Sequence, residues 1–217
     1  MIARTIATAT HGRYLVVPPA ADGPAPLLVG FHGYAELAEQ QLARLQAIPG
    51  SNRWLLVSVQ GLNRFYQRRT NEVVAGWMTR QDRDLAIADN LAYVSNVVDA
   101  VAREWRAADT LVFTGFSQGV ATAFRAAASW PRAVSGVIAA GGDVPPEIDA
   151  ASLRRINAAL ICRGARDDWY TAEKFAADDD RIRSAGVRPR SLEVDAGHEW
   201  SDAIARAAGE FLRELWS

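Results

Sequence analysis

One run, Thr110 to Phe124, restricts the fold more than any other part of the chain. It opens on Leu111-Val-Phe-Thr114, a short apolar segment of strand type. It closes in small residues, Val120 to Ala128, suited to a closely packed helix. Between them lies Gly115-Phe-Ser-Gln-Gly119, which fits G-x-S-x-G, a motif that seats its serine on a sharp strand-to-helix turn. Such a turn brings backbone segments too close for most Cβ atoms, which explains glycine on both sides. It also lifts Ser117 above the sheet edge and aims the free N–H groups of a helix N-terminus at any oxyanion formed there.

Elements flanking this run repeat the same alternation. Tyr14–Val17, Leu27–Phe31, Trp54–Val59, Val134–Ala140, Ala158–Cys162 and Ser191–Val194 are short and mostly apolar, the signature of strands buried on both faces. Helical spacing fills the gaps: Leu37 to Ile48 before Pro49-Gly50, Leu85 to Trp105 with Asp82 or Asp84 as N-cap, Ala172 to Ser184 capped by Thr171, and Ser201 to Trp216. Gly61 to Arg83 has no clean periodicity and reads as a long loop whose aromatics argue for function rather than disorder. The expected fold is α/β, with a mainly parallel central sheet, helices on both faces and no separate lid domain. A single domain is expected over 1–217, long enough to bury about 70% of its unfolded surface.

Composition excludes several function classes. The net charge of −1 gives no bulk attraction to nucleic acid or to an anionic membrane. No window reaches the roughly 18 apolar residues of a membrane span, and Met1 to Ala7 does not read as a signal peptide. A cytoplasmic protein is expected, although a mature secreted form would read the same. The one cysteine, Cys162, sits in an apolar strand, so neither a disulfide framework nor a cysteine-based metal site can be built. No cofactor or metal is expected, the partner is a small-molecule ester, and a homodimer stays open.

Ligands of such a sheet bind at the carboxyl ends of its strands. A serine alcohol needs a base within hydrogen-bond reach, and the base needs an acceptor to fix its tautomer. Ser117 and His198 each follow a strand, and Asp167 or Asp168 follows another, in the order Ser, Asp, His. Asp143 is a weaker third acid, and Asp195 lies too near His198 in sequence. The developing oxyanion needs donors: one is the N–H of Gln118, the other should come from the loop at Tyr34. His32 is expected to brace that loop rather than to move protons.

These motifs together carry a resemblance. His32-Gly33-Tyr34, the stretch from Gly61 ending in Trp77-Met78, Gly115 to Gly119, Gly141 to Pro146, Gly164-x-x-Asp167 and Gly197-His198 resemble the phospholipase/carboxylesterase family of small α/β-hydrolases, which includes acyl-protein thioesterases. The resemblance covers Leu27 to Trp216 and implies Ser117 as nucleophile, His198 as base, Asp167 as acid, and the N–H groups of Tyr34 and Gln118 as the oxyanion hole. It implies a serine carboxylesterase, with acyl thioesterase and lysophospholipase chemistry as alternatives on the same machinery. A non-catalytic binding protein is a further alternative. The chain departs from the family at Val120, where a second glycine is usual, at the bulky Tyr34, and at Trp169-Tyr170. Phe65, Tyr66, Trp77, Trp169 and Trp200, with Tyr34, are expected to wall an aromatic substrate site, although each could equally pack in the core.

Overall fold

The computed structural model describes residues 1–216. The strands are β1 (Tyr14–Val17), β2 (Ala25–Phe31), β3 (Leu55–Val59), β4 (Asn63–Tyr66), β5 (Val73–Gly76), β6 (Ala107–Phe116), β7 (Gly136–Ala140), β8 (Ala158–Gly164) and β9 (Arg188–Val194). The helices are α1 (Ala38–Ala47), α2 (Arg83–Glu104), α3 (Gln118–Ser129), α4 (Ala150–Leu153), α5 (Ala172–Ser184) and α6 (Asp202–Leu215). Seven strands form one sheet in the order β1-β3-β2-β6-β7-β8-β9. Every neighbouring pair is parallel except β1 with β3.

Alternate residues of the central strands feed two cores, because successive side chains on a strand face opposite ways. Leu27, Val29 and Phe31 of β2 point to one face, where α2, α3 and α5 pack through Val98, Phe124 and Ile182. Leu28 points to the other, where Leu45 of α1, Ile48 just after it, and Ala208 and Phe211 of α6 pack. Cys162 lies in this second core, and burial pushes its thiol up to about 12, as expected of an inert small hydrophobe.

Three expectations need correction. The Gly61–Arg83 stretch is not a structureless loop, because β4 and β5 pair antiparallel as a separate two-stranded sheet. Helix α2 begins at Arg83 with Asp82 at its N-cap, one of the two expected positions, but the Asp82 side chain makes no capping hydrogen bond. This 22-residue helix is also long and apolar enough, by length and composition, to cross a bilayer. Its Val94, Val97, Val98 and Val101 instead cover the sheet, since an amphipathic stripe at helical spacing is satisfied by one sheet face.

Candidate active site

The elbow is as tight as its glycines imply. A Cβ on Gly115 would lie 2.3 Å from the carbonyl oxygen of Gly119, and one on Gly119 would lie 2.1 Å from that of Phe31. Between them Ser117 adopts φ 51°, ψ −120°, a conformation that costs a non-glycine residue on the order of 1–3 kcal/mol. The strain places the Ser117 hydroxyl 2.8 Å from Nε2 of His198. His198 in turn lies 2.8 Å through Nδ1 from Oδ2 of Asp167.

Asp167 is buried, and its other oxygen, Oδ1, accepts from the N–H groups of Trp169 (2.8 Å) and Tyr170 (3.0 Å). Burial alone would raise its carboxyl. The Tyr170 N–H, His198 and the Trp169 N–H outweigh that and hold it below the ordinary value, so it stays ionised beside the imidazole. Asp168, the competing acid, is exposed. Asp195 pairs with Arg166 instead.

The loop after β2 is braced from several directions. His32 is buried, accepts from the Gly61 N–H at Nε2 (2.9 Å), and meets the Gly33 carbonyl at Nδ1 (2.6 Å). An N–H can only donate, so Nε2 is the bare nitrogen and Nδ1 carries the proton. Glu36 accepts the Gly33 N–H (2.7 Å) and takes Arg44 in a two-pronged pair, both distances 2.6 Å. Arg44 lies 4.2 Å from the centre of the Phe116 ring, whose centre is 5.2 Å from that of the His198 ring. The N–H groups of Tyr34 and Gln118 have no protein acceptor among the described residues, which leaves both available to a ligand.

Gln118 also acts through its side chain. Its Oε1 accepts from the Trp77 N–H (2.8 Å) and its Nε2 donates to the Met78 carbonyl (3.2 Å), tying α3 to the segment after β5.

A cavity of about 540 Å³ opens over Ser117 and His198, walled in part by Tyr34, Met78, Trp169 and Tyr170. The aromatic wall expected from sequence is only partly present. Trp169 lines the cavity while 76% exposed. Trp77 does not: it is 0% exposed, packs edge-on against Phe31, and donates its indole N–H to the His32 carbonyl (2.8 Å). A broad ring with one donor is better satisfied in the core than at a wet wall. Phe65 stands behind Tyr34 at 5.3 Å, Tyr66 is 68% exposed on the hairpin, and Trp200 packs against the second core. None of these three lines the cavity. Sequence reasoning missed Ala121 and Arg125, although their spacing of four residues sets both on one face of α3, the helix that follows Ser117.

A serine, a histidine and a buried carboxylate in one hydrogen-bonded line, with two unpaired N–H groups in the adjoining turns, can perform acyl transfer. A profile of the phospholipase/carboxylesterase family matches residues 16–176. The chain belongs to this family. No match is found among curated protein sequences. Solved structures of the same fold include a carboxylesterase from Mesorhizobium loti, at TM-score 0.77 and 20% identity over 93% of this chain and 94% of that one. Acyl-protein thioesterase 2 of Zea mays matches at TM-score 0.74 and 19% identity, over 95% of this chain and all of its own. Esterase PE8 matches at 0.72 and 20%, with the same coverage. Among the described residues no group of His, Cys, Asp or Glu is arranged to hold a metal.

Proposed function

We propose that this member of the family is a serine carboxylesterase acting on small carboxylic esters through an acyl-enzyme. The observation that carries the reading is the unbroken line Ser117–His198–Asp167, with both spacings at 2.8 Å. His198 takes the Ser117 proton as the hydroxyl oxygen attacks the ester carbonyl. The oxyanion is met by the N–H groups of Tyr34 and Gln118. The tetrahedral adduct collapses as His198 returns the proton to the departing alcohol, leaving the acyl group on Ser117. Water, deprotonated by His198, then releases the acid. Ionised Asp167 holds the imidazole and stabilises its cation. Each oxyanion donor contributes about 3–4 kcal/mol to the barrier reduction.

Acyl thioester hydrolysis uses the same groups, and the acyl-protein thioesterase 2 of Zea mays shares this fold. Ser117→Ala should abolish turnover of p-nitrophenyl acetate and butyrate. Activity retained in that variant would refute the reading, and a panel of matched esters and thioesters ranks the two substrate classes.

A further inference from the structure

Ser117, which precedes α3, and Ala121 and Arg125, four residues apart on one face of that helix, all line the cavity, so its floor runs along the helix away from the nucleophile. Eight residues of α-helix span about 12 Å. Ala121 keeps the middle of this floor low. At its end Arg125 is a buried cation, 7% exposed. Its Nε and Nη2 hold Oε1 of Glu147 at 2.8 and 2.6 Å, and Glu147 is shared with Arg83 at 3.3 Å. The Nη1 of Arg125 has no partner among the described residues. Leaving a buried donor unsatisfied is costly, the more so on a charged group. Lys174, the only lysine in the chain, also lines the cavity, with Asp143 as the one carboxylate of that lining.

We propose that the cavity takes esters carrying a second, anionic group, a carboxylate several bonds from the scissile carbonyl, and that Arg125 is the specificity-determining residue that receives it. This rests on the esterase reading above and names its substrate class. The cleaved ester sits at Ser117, the substrate chain lies over Ala121, and the distal carboxylate meets the Arg125 guanidinium, with the Lys174 ammonium at the cavity edge. A charge-assisted hydrogen bond in a partly desolvated site discriminates against a neutral analogue by about tenfold or more.

The test compares kcat/KM for mono-p-nitrophenyl esters of glutaric, adipic and suberic acids with p-nitrophenyl alkanoates of equal chain length. A second arm uses acetyl esters of ω-hydroxy acids, which put the carboxylate on the alcohol side. The expected result is a preference of about tenfold or more for the charged substrate in one arm, lost in Arg125→Met and largely kept in Arg125→Lys. In unaltered protein, glutarate or adipate should also inhibit p-nitrophenyl acetate hydrolysis competitively, where the neutral diols do not. Equal rates for charged and neutral substrates, with p-nitrophenyl acetate still cleaved, would overturn this proposal and leave the esterase reading standing. Nη1 would then belong to the chamber of about 10 Å³ that Arg125 shares with Asn90, whose Oδ1 is also unpartnered and where one water fits. No cleavage of p-nitrophenyl acetate would instead sink the esterase reading.

Discussion

Ser117, His198 and Asp167 lie 81 and 31 residues apart in pairs, and their meeting depends on backbone that tolerates little change. Asp167 accepts two backbone N–H bonds as well as the His198 proton, whereas the adjacent Asp168 is exposed. Asp167→Asn keeps the shape but presents the wrong hydrogen-bonding face to Nδ1, and kcat should fall by about 10,000-fold. Asp168→Asn should leave kcat near that of the unaltered protein. Steady-state rates for both variants on one ester decide the matter, and the reverse ranking would reassign the acid. At this scale the hydrogen-bonded line of Ser117, His198 and Asp167 was legible in the sequence, because Ser, Asp and His fall at strand ends in a fixed order. The neighbouring aromatics were not. A ring in an irregular stretch does not say which side it turns, so Trp77 was expected in the pocket and lies in the core. The second role of Gln118 was hidden as well, since its partners are backbone groups 40 and 41 residues away.

Among elements, the turn between β2 and α1 is held by two side chains outside the reacting line. Glu36 occupies the Gly33 N–H and leaves that of Tyr34 free, while Arg44 joins Glu36 to the Phe116 ring beneath His198. Burial would raise the Glu36 carboxyl, but Arg44 and the Gly33 N–H hold it below the ordinary value. Glu36→Gln and Arg44→Ala should each lower kcat about tenfold with little change in KM, and the double variant should lose much less than the product of the two. Fully additive losses would mean that the pair does not act as one brace. A different constraint operates where α3 meets β2. Gly119→Ala would push a methyl into the Phe31 carbonyl, and the thermal unfolding midpoint should drop by about 2 °C or more, from at least about 1 kcal/mol of strain. The parallel strands were legible because burial on both faces requires continuous apolar runs. The β4–β5 hairpin was not, since Asn63, Arg64 and Tyr66 are exposed and leave no alternation to read.

Over the whole molecule, the buried imidazole of His32 links the fold to pH. Burial holds it below the ordinary histidine value, so the unfolded chain takes up a proton that the folded chain resists. Its contribution to stability is therefore full above about pH 6.5 and declines as the pH falls toward the lowered folded value. The urea midpoint should fall between about pH 7 and pH 5.5, and His32→Gln should be less stable at pH 7 yet show a flatter profile. Equal slopes in the two proteins would remove His32 as the cause.

The central claim is that Ser117 is the nucleophile of an acyl-transfer site, and covalent trapping tests it most directly. Intact-mass spectrometry after treatment with a fluorophosphonate should show one adduct, mapped by peptide sequencing to Ser117, absent in Ser117→Ala and strongly slowed in His198→Ala. An unmodified protein, or an adduct retained in Ser117→Ala, would contradict the account.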